Sequence, residues 1–279
     1  MKAAAAVLRD PPQRPIFDLP VCDLDWRDAL AFADAQASQP SGQKVISFLN
    51  AHNANVMLKD DAYREVLTRQ TVLSDGIGLD LAARVMHGSS FPANLNGTDF
   101  VPALLTYMTE RKRIGLIGGR PEVLEQARKN FAAHAPWHEF IAISHGFCND
   151  AQSRDVAALT ARLKIDVLII GMGTPVQEKW VDRYIRREHA RLVMTVGALF
   201  DFVAGAVPRA PKLVRKLRLE WAFRLLQEPH RLWRRYVIGI PVFFLHLLRY
   251  RLTRKPAEAA VQPDIAAAQP VADRDRDAA

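Results

Sequence analysis

The sequence predicts an α/β fold: a Rossmann-like, mostly parallel sheet covered by helices, carrying a basic helical C-terminal appendage. Three observations predict it. Short apolar runs alternate with longer helical patterns from about residue 28 to residue 196. Such runs suit strands whose two faces are both covered. Beyond Gly205 the strand signals stop and positive charge accumulates.

The elements follow in order. Residues 1–15 are rich in Ala and Pro and are expected to be mobile, with the folded core over 16–207. Strands are expected at Lys44–Leu49, Thr71–Ser74, Arg113–Gly118, Glu139–Ser144, 166–171 and 192–196. Helices fill the intervals, among them 28–37, 99–111, 121–133, 151–163 and 176–188. The appendage spans 208–254, with basic amphipathic helices over 212–226 and 229–251. From 255 to 279 the chain is low-complexity Ala, Pro, Asp and Arg, and disorder is expected.

Composition narrows the class. The 279 residues are 49% apolar and 24% charged, sufficient for a sizeable core and unlike a disordered, collagenous or coiled-coil chain. Cys22 and Cys148 are too few for a disulfide framework and fit a reducing compartment. The N-terminus has no long apolar run that would mark a signal peptide, and no stretch approaches ~18 uninterrupted apolar residues. Between Arg209 and Arg254, 12 Lys/Arg face two acids, a net of +10, which leaves −2 for the rest of a chain of net charge +8. A near-neutral body with a cationic arm points to an anionic partner.

In open α/β sheets ligands bind beyond the carboxyl ends of the strands. Ser47 lies in the first strand and Asn50 follows it, as a ligand contact or a helix cap. The second strand runs into Ser74-Asp75-Gly76-Ile77-Gly78, where Asp75 is a general base or a cap on the next helix. Gly118-Gly119-Arg120-Pro121 follows the third, suited to close approach by a phosphate or ribose. Gly171-Met172-Gly173-Thr174-Pro175-Val176-Gln177-Glu178 follows the fifth and is the most specific stretch; Gln177 and Glu178 stand in the first helical turn. After the sixth, Gly197 and Asp201 either complete a pocket or accompany the core residues Phe200 and Phe202.

The dinucleotide fingerprint and the P-loop are both missing, which disfavours a nicotinamide dehydrogenase. Asp23-Leu24-Asp25 has the form of a metal-binding Asp-x-Asp, but its position before a helix favours a cap or turn. A membrane- or nucleic-acid-binding module is the non-enzymatic alternative for the basic arm. Its apolar run at 237–248 favours lipid.

Taken in order, these motifs resemble the WecG/TagA/CpsF family of bacterial glycosyltransferases. The resemblance also rests on Asn96-Gly97-Thr98-Asp99, Pro208-Arg209-Ala210-Pro211, Leu219-Glu220-Trp221, Arg224-Leu225 and Glu228-Pro229-x-Arg231, and runs from about Phe17 to Tyr250. It implies an inverting, metal-independent hexosyltransferase with no cofactor beyond its UDP-sugar donor. The acceptor would be a polyprenyl-diphosphate-linked saccharide of exopolysaccharide or cell-surface polysaccharide synthesis. UDP-glucose is the preferred donor, with UDP-N-acetylmannosamine or its uronic acid as the alternative. Asp75 matches the family's base. Ser47, Asn50, Gly118, Gly119, Gly171, Gly173, Pro175, Gln177, Glu178 and Asp201 fall on the donor side. Arg224, Arg231 and Arg234 match arginines that reach the diphosphate. Asn94 stands where many relatives carry a basic residue. The implied location is the inner face of the cytoplasmic membrane, peripherally bound, with no nucleic-acid partner; a homo-oligomer is compatible.

Overall fold

A computed structural model describes residues 10–211, 213–214 and 220–253. The 255–279 tail and residues 1–9 of the expected mobile leader lie outside the described residues. The strands are β1 (Gln13–Ile16), β2 (Leu19–Cys22), β3 (Lys44–Leu49), β4 (Thr71–Ser74), β5 (Arg113–Gly118), β6 (Glu139–Ser144), β7 (Ile165–Gly171) and β8 (Ala190–Thr195). The last six form one parallel sheet in the order β4-β3-β8-β7-β5-β6. Their runs are apolar throughout because both faces are covered. Val167 and Ile169 join Ile114, Leu116, Leu192 and Met194 on one side, while Leu168 and Ile170 join Ile117 and Val193 on the other.

Local chemistry starts the helices. Asp25 accepts from the Asp28 N–H at 2.8 Å and opens α1 (Trp26–Ala37). Asp23 pairs with Arg14 at 2.6 Å, so both acids of the Asp-x-Asp have structural partners. Asn50 caps α2 (Ala51–Met57) and Asp60 caps α3 (Asp61–Thr68). α4 (Ile77–His87) begins at Gly76 without a side-chain cap. Asn96 caps α5 (Gly97–Tyr107), Pro121 occupies the first turn of α6 (Pro121–His134), and an Asn149–Gln152 capping box opens α7 (Asp150–Leu163). α8 (Val176–Tyr184) and α9 (Leu199–Val203) complete the α/β body. α8 stops before the expected residue 188: Ile185 is extended, and the Arg186 N–H donates to His189 Nδ1 at 2.9 Å.

Two parts differ from expectation. Residues 13–15, assigned to a mobile leader, belong to the antiparallel hairpin β1–β2. Its two-residue turn, Phe17-Asp18, has both φ angles positive, as the right-handed strand twist favours. The second difference is at the C-terminus. Of the first basic helix, residues 213–214 are helical and α10 (Glu220–Gln227) is the longer described part. The expected single helix over 229–251 is instead α11 (Pro229–Trp233), a π-helical turn (Arg234–Ile238) and α12 (Gly239–Thr253).

The hairpin and α12 hold each other. Phe243 and Leu247 are 0% and 3% exposed and share a core with Phe17, Leu49, Met57 and Tyr63. Phe17 meets Phe243 edge-on at 5.8 Å, and Tyr250 Oη donates to Asp18 Oδ1 at 2.8 Å. Asn55 Nδ2 donates to the Gly239 carbonyl at 2.6 Å. Burying a Phe or Leu side chain is worth about 1.5–3 kcal/mol, so α12 is part of the core and not a loosely attached arm.

Candidate active site

The described chain encloses a cavity of about 460 Å³ where the carboxyl ends of β3 and β4 meet α10, the π-helical turn and α12. That volume lies within the ~300–1,000 Å³ of small-molecule sites. Its floor is Asn50, His52, Asp75 and Gly76. Asn94, Asn96 and Thr98 form one side. The C-terminal segment supplies Glu220, Trp221, Arg224, Arg235 and Tyr236, with Phe243 and Phe244.

Asp75 directly follows β4, and its N–H extends the strand ladder to the Leu49 carbonyl at 2.8 Å. Its carboxylate does not cap α4. The Gly76 N–H donates instead to Asn94 Oδ1 at 2.7 Å, which a basic side chain at position 94 could not accept. Gly76 has φ +86°, and nothing lies within 4 Å of where a Cβ would be. The carboxylate is therefore left facing the cavity, where Asn50 Nδ2 donates to Oδ2 at 3.1 Å.

Burial raises the Asp75 carboxyl above its ordinary range, against the opposing pull of the Asn50 hydrogen bond and of Arg235 and Arg224; Asp99 adds to the rise. Burial, reinforced by Arg235, pushes His52 down to about 4, so its imidazole is neutral near pH 7. The Nε atoms of Arg224 and Arg235 are buried and have no hydrogen-bond partner among the described residues. The Arg224 guanidinium sits over the Phe202 ring at 4.9 Å. Two arginines with unused donors beside an uncapped carboxylate can bind an anion and take up a proton in one enclosure.

Of the residues singled out from sequence, Asp75, Asn50 and Arg224 come together here. Others lie elsewhere. Ser47 is buried within the sheet, bonded to Gln70 at 2.6 Å and Thr195 at 2.7 Å. Arg231 is exposed and pairs with Glu228 at 3.3 Å; Arg234 is exposed over Trp233. Arg235 takes the inward position instead, a correction of one residue. Adjacent residues on a helix point about 100° apart, and the π-helical turn Arg234–Ile238 alters the phase that regular spacing predicts. Arg235 adjoins Arg234 in the sequence, and nothing local distinguishes the two.

The glycine motifs that follow β5, β7 and β8 lie outside the cavity wall, unlike Gly76 and Gly78 after β4. Gly118 and Gly171 are register partners, and a Cβ on Gly118 would overlap the Gly171 carbonyl. A Cβ on Gly171 would come within 2.8 Å of the Gly197 carbonyl. These two glycines allow backbone to approach backbone, whereas the sequence suggested room for a ligand. Gly119 meets only side-chain atoms near 4 Å, and Gly173 has open space at its Cβ position. Pro175 and Asp201 stand at the starts of α8 and α9, also off the cavity wall.

Gln177 is 2% exposed, and its Oε1 accepts from the Gly173 N–H at 3.2 Å and the Gly197 N–H at 3.0 Å. Its Nε2 donates to Glu178 Oε1, which also accepts from Thr174. Gln177 thus clamps the loops after β7 and β8. Gln177→Leu strands both amides and should lower stability by about 1–3 kcal/mol, measured by urea unfolding; unchanged stability would remove the clamp.

Sequence reasoning did not select His52, Glu220, Trp221, Arg235 or Tyr236 for the site. Glu220 and Trp221 lay inside a noted motif, and only the docking of the C-terminal segment reveals the wall they form.

The sequence profile described as "Glycosyl transferase WecG/TagA/CpsF family" matches residues 14–257. The chain is 30% identical over 213 residues to the N-acetylglucosaminyldiphosphoundecaprenol N-acetyl-beta-D-mannosaminyltransferase of Bacillus subtilis (strain 168), covering 76% of this chain and 81% of the relative. Identity to the protein of the same name in Bacillus spizizenii is 28% over 245 residues, covering 85% and 93%. For that of Staphylococcus aureus (strain MW2) it is 26% over 224 residues, covering 80% and 86%.

Proposed function

Because the chain belongs to the WecG/TagA/CpsF family of glycosyltransferases, we propose that it moves an N-acetylmannosaminyl group from a UDP-sugar to an N-acetylglucosaminyl-diphosphoundecaprenol acceptor, with inversion. The relatives' names favour this donor over the glucose preferred from sequence. The observation that carries the chemistry is the uncapped Asp75 carboxylate facing Arg224 and Arg235.

Inversion takes one in-line displacement. Asp75 removes the proton from the acceptor hydroxyl, and the oxygen's electron pair forms the new bond at the anomeric carbon. The bond to UDP breaks, and UDP leaves with that bonding pair. Arg224 and Arg235 offer their guanidinium N–H groups to the negative charge growing on the diphosphate. A screen of UDP-sugars against an N-acetylglucosaminyl-diphospholipid, following UDP release, tests the assignment. Strong preference for UDP-glucose over UDP-N-acetylmannosamine would overturn the donor.

The raised Asp75 carboxyl gives a pH prediction. The base works deprotonated, so activity is lost as pH falls through its pKa. The acid limb of kcat/KM should then lie above the ordinary Asp value of about 3.9. Arg235→Met removes a charge that favours the carboxylate and should move the limb higher still. A pH–rate profile of each protein measures the shift.

The C-terminal segment also supports peripheral membrane binding. Among the described residues no helix is long and apolar enough to cross a membrane. While Phe243 and Leu247 face the core, Phe244, Leu245, Leu248 and Leu252 are exposed on α12, close to Arg249 and Arg251. An apolar face flanked by cations suits an anionic leaflet, and we assign the protein to the inner face of the cytoplasmic membrane. Replacing Leu245, Leu248 and Leu252 by Ser should cut flotation with anionic vesicles several-fold, with unfolding unchanged because none of the three is in the core. Equal flotation would exclude this face.

A further inference from the structure

The displacement described above leaves one wall of the cavity without a role. α10 opens with Glu220 and Trp221, and both line the cavity. Tyr236 joins them from the π-helical turn, its ring centroid 5.9 Å from that of Trp221 and inclined by 52°. The rings therefore form an angled aromatic corner beside a carboxyl group. Arg224 and Arg235 supply the charge for a diphosphate, and Asp75 supplies the base. An aromatic corner with one carboxyl group matches a different chemistry.

A pyranose ring has an apolar C–H face and an edge of hydroxyl and amide groups. The C–H hydrogens carry partial positive charge and suit the negative face of an indole or phenol. A carboxylate accepts hydrogen bonds from hydroxyl and amide N–H groups. We propose that Trp221, Tyr236 and Glu220 form the subsite for the sugar ring of the acceptor. Trp221 and Tyr236 take its C–H face, and Glu220 binds a hydroxyl or amide at its edge.

Two observations favour the acceptor over the donor as occupant. The reacting hydroxyl belongs to the acceptor and must reach Asp75, which lines the same cavity. The corner is also carried by the segment whose outer side exposes Leu226, Leu245, Leu248 and Leu252, the surface suited to a lipid carrier. A sugar bound against Trp221 would thus lie between the base and the membrane-facing side. Burial raises the Glu220 carboxyl, with Arg209 and Arg224 opposing the rise and Asp99 and Asp75 adding to it. Either protonation state retains an acceptor oxygen for a sugar hydroxyl.

This inference rests on the proposed glycosyl transfer, and its test separates the two. Full-length Trp221→Ala, Trp221→Phe and Glu220→Gln are compared with the parent. An N-acetylglucosaminyl diphosphate carrying a short alkyl chain is titrated by calorimetry without donor, UDP is titrated separately, and acceptor and donor KM are measured. Trp221→Ala and Glu220→Gln should weaken acceptor binding about 5- to 30-fold and raise acceptor KM in parallel, with UDP affinity within twofold of the parent. Trp221→Phe, which keeps an aromatic face, should recover most of the loss. Loss of UDP affinity at unchanged acceptor affinity would assign the corner to the donor and overturn the proposal, as would acceptor affinity unchanged in all three variants. Concerted loss of both ligands in all three would overturn it too, by making the wall a general support. A parent that binds the acceptor probe but transfers from no UDP-sugar would refute the proposed reaction and leave the subsite standing.

Discussion

Asp75→Asn is expected to lower turnover by about 10²–10⁴-fold while leaving UDP affinity within a few-fold of the parent. Asn retains the size of Asp and can still meet Asn50, so the strand end and the start of α4 should persist. α4 does not depend on residue 75 for its cap, since Asn94 receives the Gly76 N–H. The substitution therefore separates proton removal from folding more cleanly than it would at a capping Asp. It also removes a negative charge facing Arg224 and Arg235, which should keep or improve the binding of anionic UDP. UDP release under single-turnover conditions gives the rate, and calorimetry gives the affinity. Near-parent turnover would show that another group accepts the proton.

The second large effect is expected from Arg224→Met and Arg235→Met. Each retains much of an apolar stem while removing the guanidinium, and each should reduce kcat/KM by about 10²–10³-fold, the scale of losing one preorganised donor to a developing anion. Arg224 rests on Phe202 and Arg235 lies close to Tyr236, so both guanidinium groups are held by ring contacts before any ligand arrives. The double variant should fall short of the product of the single losses, because both groups act on one diphosphate. Arg234→Met is the control: its exposed side chain sits over Trp233, and kcat/KM should remain within about threefold of the parent. A deep loss at Arg234 with little effect at Arg235 would reverse the inward assignment.

Much of this protein was legible in its sequence because it depends on local physics. Apolar runs separated by helical segments identify a sheet covered on both sides, and the six strands fall within two residues of the expected bounds. Asn50 could be read as a helix cap because a short polar side chain can satisfy an N–H three residues ahead, and it caps α2. Asp75 could be singled out from its place after a strand, and Arg224 from the resemblance to the family. The hairpin was not legible: its strands have four residues each, contain Pro15 and Pro20, and gain their apolar partners from distant elements, β4, α3 and α4 as well as α12.

Tertiary structure alone decided which of these groups share a cavity. Gln177 looked like a ligand contact, yet its amide joins two loops through backbone groups separated by more than a strand. Gly118 looked like space for a phosphate or ribose and Gly171 like part of the donor side, but they accommodate each other's backbone. Arg235 faces inward where Arg234 was expected, because the direction of a helical side chain depends on its phase, and a π-helical turn alters that phase. Local hydrogen bonding and hydrophobic period are written in neighbouring residues. The packing of α12 against residues about two hundred positions earlier depends on Phe243 and Leu247 joining Phe17 and Leu49, and the C-terminal segment anchored there lines one cavity with Asp75 through Glu220, Trp221 and two arginines.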